Sequence, residues 1–105
     1  MDDVKLKLNE KAHGAFYIVG EKGLLGEMIV SVDKNNLTVY HTEVSRAAEG
    51  KGLAKKMLQT MVDYARKNNL KVIPLCPYVH GQFKRHPQDY EDIWNKDAEK
   101  EKRIQ

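Results

Sequence analysis

Two closely spaced glycines, one cysteine and a histidine–glutamate pair are the residues of this chain that have chemistry to offer. In Glu49-Gly50-Lys51-Gly52-Leu53-Ala54-Lys55, glycines flank a lysine where a helical pattern begins. Without Cβ atoms, such a turn lets backbone N–H groups approach a ligand closely. A helix start also carries unpaired donors and the positive end of the helix dipole, which suits a phosphate or pyrophosphate. The same spacing serves a tight strand-to-helix turn capped by glycine, and spacing alone leaves both readings open. It is neither a Walker loop nor the dinucleotide fingerprint G-x-G-x-x-G, because position 55 is lysine.

Cys76 is the sole cysteine, so no intramolecular disulfide forms and a reducing, cytoplasmic compartment is expected. Its thiol reads either as a nucleophile or as a small buried hydrophobe. Pro77 behind it starts a helical turn well, and free amides there would favour a thiolate. His41 and Glu43, two apart, share one face of a strand. Either is of a type that serves as a proton acceptor in general base catalysis, and such a surface pair is also commonly inert. Cys76, His80 and His86 make a weak zinc pattern, so no metal site is expected.

The elements that must hold these groups are legible in a change of period. Val4, Leu6 and Leu8 alternate with lysines, and Gly14 to Val19, Leu25 to Val32 and Leu37 to Val44 follow as further strands. Short polar turns join them, which favours an antiparallel meander. Leu53, Met57, Leu58, Met61, Val62 and Ala65 then recur at helical spacing, with lysines and other polar residues opposite. That helix ends at Asn68-Asn69, which suits a left-handed cap. Leu70 to Cys76 reads as a fifth strand, parallel to the fourth through a right-handed crossover. Tyr78 to Arg85 and a stretch opened by Pro87 read as short helices. The expected class is α+β. Phe16, Tyr17, Tyr40, Tyr90 and Trp94 read as core aromatics.

The whole chain has 105 residues, 41% hydrophobic and 31% charged, which is one globular domain. We expect that domain over 1–94, with 95–105 a charged tail forming a solvated helix end. The net charge of +3 from 18 basic and 15 acidic residues falls short of a nucleic-acid binder's basic footprint. It suits a small anionic ligand held by a few lysines. No run approaches the roughly 20 apolar residues of a membrane span. Met1-Asp2-Asp3 has neither the basic start nor the apolar run of a signal peptide. Neither nucleic acid nor membrane is expected as a partner, and a monomer is expected rather than an oligomer.

Gly50-x-Gly52 followed by Leu53-Ala54-x-x-Met57-Leu58, between a strand and a long helix, resembles the acetyl-CoA pyrophosphate loop of the GNAT acetyltransferase superfamily. Ala47 stands where that loop usually opens with Gln or Arg, and Arg46 lies one residue earlier. His41-Thr42-x-Val44, Glu49-Gly50-Lys51-Gly52, Pro74-Leu75-Cys76-Pro77 and Arg85-His86-Pro87 resemble the very small GNAT-like acetyl-CoA-binding proteins. The resemblance implies a GNAT-like fold whose fourth and fifth strands splay apart around acetyl-CoA. It implies pantetheine on the strand-four backbone near His41, Thr42 and Val44. The pyrophosphate would lie on the amides of Glu49 to Ala54, with Lys51 and Lys55 as counter-charge. Tyr78, Lys84, Arg85 and His86 would line the exit towards the 3′-phosphate. Cys76 is then expected at the mouth of the splay, near the thioester. The implied activity is N-acetylation of an amine acceptor, directly or through Cys76. A non-catalytic CoA-binding module and a small basic interaction protein are the alternatives.

Overall fold

Alternation of apolar and polar residues in the first half of the chain builds four strands that pair in sequence order. The computed structural model describes residues 3–104; Met1 and Asp2 of the N-terminal start and Gln105 of the tail lie outside them. The strands are β1 (Lys5–Leu8), β2 (His13–Gly20), β3 (Gly23–Asp33), β4 (Asn36–Val44) and β5 (Lys71–Pro74). They form one sheet in the order β1-β2-β3-β4-β5. The first four are antiparallel, and β5 runs parallel to β4. Helix α1 (Leu53–Lys67) makes the crossover, followed by α2 (Pro77–Arg85), α3 (Pro87–Tyr90) and α4 (Lys96–Ile104). This is the α+β arrangement expected, with every meander strand found.

One face of the sheet holds the core. Phe16, Ile18, Met28, Val30, Leu37 and Val39 meet Leu53, Met57, Leu58, Met61, Val62 and Ala65 of α1. Each of these side chains larger than alanine stabilises the fold by about 1.5–3 kcal/mol. The helix therefore forms because its apolar stripe has this face to cover, more than from propensity. It ends at Asn68, and Asn69 takes the left-handed conformation (φ 55°). At the sheet's first edge, a Cβ on Gly14 would lie 1.8 Å from the Lys7 carbonyl oxygen, so only glycine lets β1 and β2 approach.

The other face carries two cross-strand rows, Lys5–Tyr17–Glu27–Glu43 and Lys7–Ala15–Ile29–His41. Two aromatics expected in the core depart from it here. Tyr17 lies on this face, half-buried, and Tyr40 is 43% exposed with its hydroxyl 2.7 Å from Ser31 Oγ.

The second edge of the sheet is closed by chain rather than left bare. Val72 donates to the Ile93 carbonyl and accepts from Asn95 N–H, so residues 93–95 lie parallel against β5. The fifth strand is shorter than the apolar run suggested. Pro74 has no N–H to continue a ladder, and Leu75 N–H turns back to the Ile73 carbonyl at 3.1 Å. The C-terminal segment also departs from expectation. Helix α4 is docked, with Glu99 only 5% exposed. Spacing of charges hides this, because a buried carboxylate and a solvated one look alike in sequence. No helix among the described residues is long and apolar enough to cross a membrane.

Candidate active site

Between β4 and α1 the chain passes through Ser45, a single 3-10 turn (Arg46–Ala48) and the glycine loop. Gly50 and Gly52 both adopt left-handed backbone, φ 82° and 75°. A Cβ on either would meet nothing within 4 Å. Conformation, not crowding, therefore demands glycine there, and the space above the loop is open. The first bond of the helical ladder runs from Lys56 N–H to the Gly52 carbonyl, at 3.1 Å. The amides of Gly50 to Lys55 find no partner among the described residues. They point from the start of a 15-residue helix with no acidic residue in its first turn. Glu49, Lys51 and Lys55 are exposed, whereas Leu53 is buried beneath the loop. Ser45 Oγ, at the loop's entry, is buried without a hydrogen-bond partner.

Strands β4 and β5 pair over Asn36–Val39 and Lys71–Pro74, and the last backbone hydrogen bond between the two segments runs from Cys76 N–H to the Val39 carbonyl, 2.9 Å. There β4 bulges. Its register against β3 passes from Val30↔Val39 to Ile29↔His41, leaving Tyr40 unpaired. A bulge bends its strand and sharpens the twist, so β4 leaves β5 at this point. Thr42 Oγ1 and Cys76 Sγ face each other 3.2 Å apart where the strands part. Cys76 is 1% exposed. It therefore sits buried at the crotch of the splay, not at the mouth where sequence placed it.

The bulge also decides which residues share a side. Thr42 pairs with buried Met28, on the core side of β4. Val44 is half-buried and packs on the core. His41 and Glu43 lie on the opposite face, both exposed, with Nε2 and Oε1 3.6 Å apart. The expected pair is thus assembled, and Cys76 is joined to Thr42, but the two pairs are on different faces of one strand.

Cys76 is also the N-cap of α2, and Pro77 is its first residue, as expected. Tyr78 is half-buried, and loss of solvent is the main cause raising its phenol above the ordinary value; Tyr90 and Cys76 act the same way, and Arg85 opposes. Tyr78 therefore stays protonated at neutral pH and can donate a hydrogen bond. Lys84, Arg85 and His86 are exposed at the far end of α2. Lys84 lines a groove between α2 and α4, with Trp94, Lys96, Lys100 and Arg103.

Three features lay beyond reading from sequence: the Thr42–Cys76 contact, the unpartnered Ser45 hydroxyl and a cluster around Glu99. In that cluster Glu99 accepts from Trp94 Nε1 at 2.8 Å and Arg103 Nε at 2.8 Å, and His80 Nδ1 lies 2.6 Å away. Only the Glu99–Arg103 spacing, one helical turn, signals it in the sequence.

Comparison with known proteins bears on all of this. Residues 15–93 match the family model described as GCN5-related N-acetyl-transferase. Protein NATD1 of Xenopus tropicalis is 32% identical over 56 residues, 53% of this chain and about half (51%) of that protein's length. The solution NMR structure of a GCN5-like protein from Staphylococcus aureus, proposed to be an N-acetyltransferase, superposes with a TM-score of 0.63. It is 35% identical, covering 90% of each chain. The crystal structure of ribosomal-protein-alanine N-acetyltransferase from Brucella melitensis biovar Abortus 2308 gives 0.57 at 23% identity, covering 76% of this chain and 64% of that one. The last shares the fold. With its splayed β4 and β5, its glycine loop and a family match over most of its length, this chain belongs to the GCN5-related N-acetyltransferase family.

Proposed function

We propose that this protein is an acetyl-CoA-dependent N-acetyltransferase acting on an amine acceptor. The observation that carries the reading is the run of unpartnered amides from Gly50 to Lys55 at the start of α1, beneath open space. They suit a pyrophosphate, because N–H donors and the helix dipole act on the same anion. Lys51 and Lys55 add exposed, solvent-screened counter-charge. Below the bulge, β4 has no β5 partner from His41 to Val44, which leaves main-chain groups for a pantetheine amide. Tyr78, held protonated, is a donor beside Cys76 at the head of α2.

The thioester supplies the electrophilic carbonyl. What this chain supplies is position and a proton acceptor. His41 or Glu43 takes the proton as the amine nitrogen bonds to the acetyl carbon and the thioester C–S bond breaks; CoA leaves as its thiolate, and return of that proton to the sulfur gives the thiol and restores the acceptor. Burial of Cys76 favours this direct route over a covalent one. The Thr42–Cys76 contact supports a second reading, in which Cys76 carries the acetyl group before the amine receives it.

Titration with CoA and acetyl-CoA, followed by backbone amide shifts, tests the reading. Shifts centred on Gly50 to Lys55 and Thr42 to Val44, with acetylation of added amine, are the expected result. Binding without turnover would leave a CoA-binding module. No binding at all would leave a small basic interaction protein whose glycine turn is structural.

A further inference from the structure

The turn Pro74-Leu75-Cys76 carries the sulfur at the crotch of the splay, and a closed ring of contacts surrounds it. The Cys76 carbonyl accepts from His80 N–H in the first turn of α2, at 2.9 Å. The His80 ring meets Glu99 of α4 at 2.6 Å. Glu99 receives Arg103 Nε, and Arg103 Nη2 donates to the Pro74 carbonyl at 3.0 Å. That carbonyl returns the ring to the turn itself. A carboxylate only accepts, so His80 Nδ1 carries a proton, and the 3.3 Å approach of Arg103 Nη2 to the same nitrogen is no hydrogen bond.

Each member is placed for this. The Glu99 side chain is 6% exposed and its two oxygens share three donors, Trp94 Nε1, Arg103 Nε and His80 Nδ1. Pro74 is the last residue of β5 and offers no N–H, so its outer edge needs only a donor for the carbonyl. Residues 93–95 close that edge one step earlier, at Val72, and Arg103 completes it.

We infer that Glu99, Arg103 and His80 are positioning residues that clamp the Pro74–Cys76 turn and so hold the separation of β4 and β5. The inference rests on the N-acetyltransferase reading for its functional consequence, but the clamp itself is a property of the free protein. Its loss lets the turn open locally, exposing Cys76 and loosening the arm's groove.

Iodoacetamide alkylation of the full chain, read as added mass, measures that opening directly, since Cys76 is the sole cysteine. Loss of one charge-assisted hydrogen bond corresponds to about tenfold in an opening equilibrium. Arg103→Met and Glu99→Gln should each alkylate about tenfold faster than the unsubstituted protein. Arg103→Lys, which retains a donor for the carbonyl, should recover part of the protection, and Lys100→Ala on the same helix should change nothing. Ile18→Val, buried in the sheet away from α4, sets the rate expected from global destabilisation alone. Alkylation that merely tracks unfolding free energy across these variants overturns the clamp. With acetyl-CoA as the probe, Arg103→Met should also raise the dissociation constant about fivefold while the glycine-loop shifts persist. Should the unsubstituted protein bind no acetyl-CoA, the functional reading falls, and the alkylation series still decides the clamp.

Discussion

Gly52 and Cys76 separate what a side chain would add from what the backbone already provides. At Gly52 the left-handed φ of 75° is tolerated by glycine and strained for any β-branched residue, although a Cβ has free space. Gly52→Val should therefore distort the amide cradle while the core beneath, including Leu53, stays folded. Its CoA affinity should fall by more than tenfold, about 1.4 kcal/mol, measured by titration calorimetry. Lys51→Ala should lose less, because an exposed lysine acts through screened charge. At Cys76 the direct route expects Cys76→Ala to keep amine acetylation, with no hydroxylamine-labile acetyl-protein in the parent. His41→Ala should then lower turnover by about 10²-fold, since a positioned proton acceptor is worth roughly that much. Loss of turnover in Cys76→Ala, with CoA binding intact, would instead select the acetyl-Cys76 route.

Between elements, the ion pair of Arg66 on α1 with Asp92, just past α3, shows how a tether acquires pH dependence. Arg66 Nε lies 2.9 Å from Asp92 Oδ2, and its Nη2 also reaches the Asp89 carbonyl. The side-chain hydrogen bond from Arg66 is the main cause holding the Asp92 carboxyl below its ordinary 3.8, with burial opposing. A carboxylate lowered by folding stabilises the native state above its unfolded pKa, and that stabilisation is lost as pH falls through the folded value. Asp92→Asn should thus be less stable than the parent at pH 7, and the difference should vanish as pH drops below 3.8. Urea unfolding at a series of pH values measures it. Both side chains are substantially exposed, so the effect will be small. A difference that persists unchanged at low pH would mean the tether acts through packing.

Across the whole molecule, one apolar cluster joins the meander, α1, β5 and α2, and the radius of gyration is 13.4 Å. That is the size expected of a single domain of about 100 residues. A core shared this widely ties these elements into one cooperative unit. Phe16 is 1% exposed and its ring meets Tyr64 of α1 edge-on, at 5.7 Å. Phe16→Ala should cost about 3–5 kcal/mol. Circular dichroism and Trp94 fluorescence should then report one coincident, earlier transition. Separate transitions would show that the C-terminal helices form a second cooperative unit.

The amino-acid order by itself determined the strands, the crossover helix and the glycine loop, because each rests on local periodicity or on a residue with unusual backbone freedom. Alternation at Val4–Leu8 and Leu37–Val44, the apolar stripe of α1, and glycines at 50 and 52 need no partner to be recognised. His41 and Glu43 followed for the same reason, since two-residue spacing on a strand puts them together. Tertiary structure decided the rest. The unpaired Tyr40 in the β4 bulge turns Thr42 towards Cys76 and the His41–Glu43 pair away from it, and a register shift leaves no local signature. Tyr40 came out exposed because the sheet face it occupies has no helix of this chain upon it at that point. Glu99 looked like one more charge in a charged tail until folding brought His80, Trp94 and Arg103 around it. A carboxylate is buried where donors converge on it, and here His80 arrives from another helix, so the convergence is a property of the fold.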